Sequence, residues 1–403
     1  MRKQGILVLM ILIMLLTTGC WSRTEINDIA VVTAMAMDQG NDGEIRLALQ
    51  LALPRLLGPT AIGGGGTELE AKATWVVAEK GKNLMDALEK IQSKLPRRLF
   101  FSHNRVLVIG DKLARKGVAP LLDAVSRSRQ SRLDSYILFT KGEAMQVINF
   151  TPKFERVGAE IIREEEKQGV MVNKTVGEFL NILLDEGIQP LASRIEVIPS
   201  IVPNTNSSQD KKQHRNLGTV GVAVFRKDKL VGWLNHQEGR GLLWLRNELK
   251  TSLITINIPK EKGSGHISIR VLKSATKRKP TLQNGKIHMK VQIRSSGEII
   301  ENTSKLDLND PKIISYIQHE LENELKESVQ LTLNKVQKQF KSDIIGFGNS
   351  VFREYPAYWK NTLKARWDQE FPNVKVSIMP YVNINQTGLN TKPFIWSEQE
   401  FIQ

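Results

Sequence analysis

An α+β fold, with mixed β-sheets flanked by helices and one long amphipathic helix lying on a C-terminal sheet, is predicted by three features of this 403-residue chain. Strand-like and helix-like segments alternate through its first half, starting with a hairpin. A second series of strands and turns follows a polar stretch near residue 210. Beyond residue 311 an apolar stripe recurs every three or four residues as far as residue 340, the period of a helix with one buried face. Composition agrees: hydrophobic residues make up 41% and charged residues 25%, ordinary values for globular protein. At roughly 100–200 residues per domain the length accommodates two or three domains. Cys20 is the single cysteine, so no intramolecular disulfide staples the chain and its cores must hold it.

The chain opens MRKQGILVLMILIMLLTTGCW. Arg2 and Lys3, the apolar run Ile6 to Leu16, and the small residues Thr17 to Gly19 follow the plan of a secretory signal peptide, assigned to residues 1–19. The apolar run is about half of the ~20 residues that span a bilayer, which argues against a permanent anchor. Cys20 comes directly after it, an arrangement that looks like a bacterial lipobox with Thr17 where leucine is usual. In that chemistry the Cys20 thiol takes diacylglycerol, the chain is cut after Gly19, and the new amino group is acylated. Two acyl chains hold a protein stably on a membrane where one binds reversibly. A plain secreted chain, or an uncleaved anchor with an incidental cysteine, is the alternative. The formal charge is +15, two units of which (Arg2 and Lys3) leave with the leader. An exported protein rarely meets nucleic acid, so an anionic membrane surface is the better partner for that charge. Simple solubility is the competing use.

Three further domains are expected: an N-terminal α/β domain at 20–200, a middle domain at 201–262 and a C-terminal α+β domain at 263–403. In the first, the apolar run IAVVTAMAM within Ile26 to Met37 suits a strand buried on both faces. A turn at Gln39 to Gly43 and the alternation of Ile45, Leu47, Leu49 and Leu51 complete a hairpin. Gly63 to Gly66 read as a flexible loop, because no Gly-Lys-Ser/Thr follows to make a phosphate cradle. Thr74 to Ala78 reads as a strand. Leu84, Ala87, Leu88, Ile91 and Leu95 share a helix face that Pro96 stops. A strand at Val106 to Ile109, short helices from Asp111 and Pro120, and a strand at Ser135 to Thr140 come next. Helices at Phe154 to Lys167 and Val176 to Leu184 follow, the second with Phe179, Leu180, Leu183 and Leu184 on one side. Arg194 to Ile198 closes the sheet.

Asn204 to Asn216 (NTNSSQDKKQHRN) is polar and marks a linker. Thr219 to Phe225 and Leu230 to Leu234 form a second hairpin, and Gly239 to Leu245 a short helix. Strands are expected at Ser252 to Ile258, Ile267 to Lys273 and Lys286 to Arg294. The loop Lys273 to Lys279 carries Lys273, Lys277, Arg278 and Lys279, a candidate membrane-facing patch or a plain solvated charge run. Asp310 and Pro311 begin the clearest helix, whose stripe runs Ile314, Ile317, Leu321, Leu325, Val329, Leu333, Val336 and Phe340. Its mean spacing is nearer 3.6 than 3.5, which favours packing within a domain over an oligomerising coiled coil. A second helix from Phe347 to about Phe371 carries Trp359 and Trp367, stops at Pro372, and precedes a strand at Val374 to Asn385.

Catalytic chemistry is hard to find. The six histidines are scattered, and His319-Glu320 has no second histidine at Asn323 to complete a zinc-protease helix. There is no Gly-x-Ser-x-Gly elbow. Gly346-Phe347-Gly348 lacks the third glycine of a dinucleotide fingerprint, with Val351 in its place. Glu164-Glu165-Glu166 read as solvated surface acids. Two distant acids of a glycosidase type leave no sequence mark. No catalytic residue, cofactor site or metal site is therefore assigned, and an enzyme is not expected.

Several segments resemble the Ger(x)C family of spore germination lipoproteins: Gly19-Cys20-Trp21-Ser22-Arg23-Thr24-Glu25-Ile26-Asn27-Asp28, in which Ser22 replaces the family's Asp and Ile26 its Leu; Ser102-His103-Asn104-Arg105 leading into Val106 to Gly110; Gly241 to Leu245; Asp343 to Gly348; and Tyr355-Pro356 with Trp359, Trp367 and Phe371-Pro372. They run in order along the whole chain. The resemblance implies the C subunit of a nutrient germinant receptor on the outer face of the spore inner membrane. It implies an elongated body of three α/β-type domains and two integral membrane partners, the A and B subunits. Only Cys20 carries over with a chemical role, as the site of diacylglycerol and N-acyl lipid; no other cofactor is implied. Phe100, Trp244 and Trp367 are expected in the core. A lipoprotein solute-binding component of a transporter is the alternative, and it would need two similar lobes. A cell-wall hydrolase would need an acid pair or a metal.

Overall fold

The computed structural model describes residues 25–53, 73–151, 157–169, 171–199 and 215–386. Cys20 and the expected leader, Gly63 to Gly66 with the loop expected there, and most of the polar stretch at 204–216 lie outside the described residues. Two sheets organise the rest. The first is nine-stranded. Its strands are β1 (Ile29–Gln39), β2 (Ile45–Ala52), β3 (Thr74–Gly81), β4 (Arg98–Phe100), β5 (Val106–Gly110), β6 (Tyr136–Thr140), β7 (Leu191–Pro199), β8 (Arg215–Arg226) and β9 (Lys229–Leu234). They lie in the order β3-β2-β1-β5-β6-β7-β8-β9, with β4 beside β1. The middle strands β1, β5, β6 and β7 are parallel, and an antiparallel hairpin extends each end.

Parallel strands sit under helices on both faces, and their residues say so. Met35, Met37, Leu107, Ile109 and Phe139 point to one side, where helices Leu84–Ser93, Ala119–Arg127 and Val176–Leu183 pack. Phe139, Phe179 and Phe225 meet there with ring centroids 4.6–5.8 Å apart. Ala34, Ala36, Val106 and Val108 point to the other, against helices Ala144–Ile148 and Gly158–Gln168. The small side chains of β1 on that side let a short helix come close.

The second sheet has four strands: β10 (Ser252–Ile258), β11 (Gly265–Gln283), β12 (Lys286–Asn302) and β13 (Lys375–Gln386), in that order. The β12–β13 pair is parallel and the others are antiparallel. The helix Pro311–Leu333, capped by the Asp310 side chain on the Lys312 amide, crosses it and continues as a π-helical turn, Asn334–Phe340. The expected stripe from Ile317 to Phe340 is buried, and Ile314 is half-buried. Helix His236–Arg246 wedges between the sheets and lies against the long helix. A Cβ at Gly241 would stand 2.3 Å from the Ser328 carbonyl oxygen, so only glycine permits this crossing.

Several expectations need correction. Lys273 to Lys279 is no loop but the middle of β11, since its alternating small and β-branched neighbours extend the strand through Gln283. The helix expected over Phe347 to Phe371 breaks into short turns after Phe347–Glu354, because Pro356 excludes the helical conformation at Tyr355, whose φ/ψ is −131°/64°. Leu184 is 80% exposed rather than on the buried side, as the helix ends at Leu183. Phe100 is half-buried, and its neighbour Phe101 takes the core position. Glu166 is buried rather than solvated. The sheet does not close at β7: hairpin β8–β9, from beyond the polar stretch, pairs on to it. Helix Ala144–Ile148 adds to the expected elements. Asp38 caps it, accepting from the Ala144 and Met145 amides at 2.7 and 3.0 Å, a contact between residues far apart in sequence.

Candidate functional site

The most heavily built polar site joins the two sheets. The π-helical turn ends where Lys341 adopts a left-handed conformation, φ 51°, turning the chain back toward the first sheet. Asp343 follows and is buried. Its carboxylate accepts the amides of Gly346, Phe347 and Gly348 at 2.8–3.1 Å and the Trp367 indole N–H at 2.9 Å. These amides open helix Phe347–Glu354, where backbone N–H groups have no helical acceptor and favour an anion. Burial still pushes the Asp343 carboxyl above its ordinary value, against the lowering by its four donors. Around it the Asp343 carbonyl accepts from the Gln189 amide at 2.9 Å, and the Gly187 carbonyl from the Asn349 amide at 3.0 Å. Arg246 donates to the Ile344 carbonyl and Arg278 to the Ile345 carbonyl. The Asp343 carboxylate is thus engaged by four donors within the protein, and the cluster ties the two lobes together.

Other titratable groups are dispersed. Glu166 accepts from the Ser193 hydroxyl at 3.0 Å, and burial pushes its carboxyl up to about 8. Glu165 accepts from the Thr219 amide and hydroxyl at 3.1 Å and is raised by burial. His103 is exposed, and the Ser102 to Arg105 segment guides the chain into β5: the Ser135 hydroxyl donates to the Asn104 carbonyl at 2.7 Å, and the Arg105 amide to the Thr33 carbonyl at 2.9 Å. Trp244 and Trp367 are in the core, as expected. Among the described residues no His, Cys, Asp and Glu group is placed to hold a metal, and no helix is long and apolar enough to cross a membrane. A groove of ≈ 770 Å³ runs between the β8–β9 turn and the end of the long helix, lined by Arg226, Lys227, Lys229, Lys341 and Asp368. A second, of ≈ 620 Å³, lies beside Asp185, Asn349 and Trp359.

The fold and this junction define a class: a two-sheet α+β protein whose C-terminal half lends a hairpin to the N-terminal sheet and is pinned to it by a buried carboxylate. The chain belongs to the spore germination GerAC-like family. A family profile described as "Spore germination protein N-terminal domain" matches residues 22–197, and one described as "Spore germination B3/ GerAC like, C-terminal" matches residues 220–388. The two profiles flank the polar stretch, and hairpin β8–β9, which lies in the second from residue 220 on, pairs with the sheet of the first. The chain is 33% identical over 95% of its length to the candidate spore germination protein YfkR of Bacillus subtilis (strain 168), covering 96% of that protein. It is 28% identical to spore germination protein KC of the same organism, over 97% of this chain and 98% of that one. The crystal structure of the GerBC protein shares the fold, with a TM-score of 0.56 at 20% identity over 87% of this chain and 96% of that chain.

Sequence reasoning missed Glu166 and the role of Asp343. For Asp343 a signal was present, an acid three residues before Gly346 at the start of an amphipathic helix. Glu166 carried none, because only the packing of its helix on β7 and β8 separates it from its solvated neighbour Glu164.

Proposed function

We propose that the chain is a lipid-anchored, non-enzymatic subunit of a spore nutrient germinant receptor. Family membership ties it to spore germination. The observation that carries the finer reading is similarity to spore germination proteins over 95–97% of the chain, together with a leader-like sequence, residues 1–19, directly before Cys20. In this reading Cys20 bears diacylglycerol and an N-acyl chain, and the body stands on the outer face of the spore inner membrane. Its partners there are the integral membrane A and B subunits. The Asp343 carboxylate is taken up by four donors of the chain itself, which suits a scaffold that presents surfaces. A solute-binding component built from two similar lobes fits less well, since one sheet has a parallel centre and the other is mostly antiparallel.

The test is dipicolinic acid release from spores carrying Cys20→Ala in a strain without other receptors, one nutrient at a time. Release is expected to fail with a nutrient class and to persist with a trigger that bypasses receptors. Normal release with every nutrient would rule the tethered receptor subunit out. Peptidoglycan turnover by the purified chain would instead mark a hydrolase.

A further inference from the structure

We propose that the outward face of the β10–β13 sheet docks flat on an anionic lipid bilayer. The inward face is settled by its contacts: on β11 the Thr276 hydroxyl donates to the Trp244 carbonyl at 2.6 Å and Arg278 reaches the Ile345 carbonyl. Lys273, Lys277 and Lys279 alternate with these and point away from the core. Pairing brings Lys290 and Arg294 of β12 and Lys375 of β13 on to the same face. Lys279 stands opposite Lys290, Lys277 opposite Gln292, Arg294 between Ala275 and Tyr381, and Lys375 opposite His288. No carboxylate occupies an outward position within 273–279, 286–296 or 375–381; Glu298, the next outward residue of β12, lies opposite Arg270. Among the described residues none of these six cations forms an ion pair, whereas Arg270 at the other end of β11 meets Glu298 at 2.9 Å.

Like charges directly opposite on neighbouring strands destabilise a sheet. The Lys279–Lys290 pair is therefore held against its own repulsion, and an anionic surface would relieve it. A bilayer fits this face better than a protein partner does. Sheets present a broad, shallow surface with long lysine stems, and neither groove described above lies on it. Met379 and Tyr381, 44% and 61% exposed, stand among the cations with an apolar body and, in tyrosine, a polar tip, the chemistry of a headgroup layer. Each lysine or arginine near an anionic leaflet contributes about 1 kcal/mol of attraction, within a Debye length of about 8 Å. The proposal takes its setting from the tethered reading above and names the surface that the tether would bring to the membrane.

The test uses the chain from residue 21, since the packed residues begin after it, sedimented with vesicles of mixed phosphatidylglycerol and phosphatidylcholine or of phosphatidylcholine alone. Binding to the anionic vesicles is expected, weakening as salt rises. Lys277→Glu, Lys279→Glu, Lys290→Glu and Arg294→Glu combined should weaken it at least tenfold. A control with the same charge change on other exposed lysines, Lys112→Glu, Lys116→Glu, Lys312→Glu and Lys326→Glu, should stay within twofold. Melting curves check both, and glutamine versions replace any that unfolds. Equal binding to neutral vesicles, or equal loss in both variants, overturns the proposal. So does intact vesicle binding by a face variant that fails to support germination in spores, which would assign the face to an acidic protein. Vesicle binding needs neither spores nor a lipidated Cys20, so its failure leaves the receptor reading standing, and failure of that reading leaves the vesicle result standing.

Discussion

The two sheets solve the same burial problem differently. In the nine-stranded sheet the central strands are covered on both sides, and β5 (Val106–Gly110) is buried at every residue. In the four-stranded sheet β12 alternates from Lys286 to Ser295, with Ile287, Met289, Val291 and Ile293 inside and Lys290, Gln292 and Arg294 outside. Parallel strands need helical crossovers, and crossovers cover faces; antiparallel strands joined by hairpins leave a face free. The free face carries six cations that form no ion pair among the described residues. A scaffold can thus keep one lobe closed for stability and leave the other available for contact.

The largest expected effect sharpens that contrast. Val108→Lys places an unpaired charge inside the first sheet and should cost more than about 4 kcal/mol, enough to prevent folding of a marginally stable lobe. Gln292→Lys, outward in the second, should change stability by less than about 0.5 kcal/mol. Urea unfolding of both measures the difference, and similar losses would mean that the second sheet is covered after all.

Next comes the junction between the lobes. Asp343→Ala strands three amides and the Trp367 indole, each orphaned donor costing about 1–3 kcal/mol, so a loss of at least about 3 kcal/mol is expected. Trp367→Phe removes one donor and should cost less. Hydrogen exchange at the Gln189 and Asn349 amides should quicken in Asp343→Ala; unchanged protection there would separate the carboxylate from the joining of the lobes.

Gly241→Ala should cost about 1–3 kcal/mol by forcing helix His236–Arg246 away from the long helix. Wild-type stability would show that the two helices have room to spare.

The last effect is one of pH. The folded Glu166 carboxyl holds its proton up to about 8, whereas its ordinary value is 4.5. Between those values the folded state binds more protons than the unfolded one, so this group makes stability fall as pH rises from about 5 toward about 8. Glu166→Gln keeps the volume and does not titrate, and its melting temperature should decline less over that range. Parallel declines would show that the carboxyl is hydrated.

Most elements were legible because periodicity reports burial. The hairpin of β1 and β2, the strands at 106 and 136, and the stripe from Ile317 to Phe340 each repeat with the period of their structure. The errors share a cause. Lys273 to Lys279 resembles a loop because clustered charge mimics a break, although a strand with one wet face carries charge at alternate residues. Trp359 and Trp367, eight residues apart, suggest a helix continuing from Phe347, but Pro356 breaks it.

By itself the sequence determined the leader pattern at Cys20, the α+β class, the long helix and the family, since these depend on local order and period. Tertiary structure alone decided that hairpin β8–β9 joins the first sheet, that Asp343 gathers four donors, that Glu166 is buried beside solvated Glu164, and that lysines from three strands share one face. Each of these depends on strand register and on contacts between distant residues. Pairing partners are selected by the total burial and hydrogen bonding of the folded chain, and no local pattern records that sum.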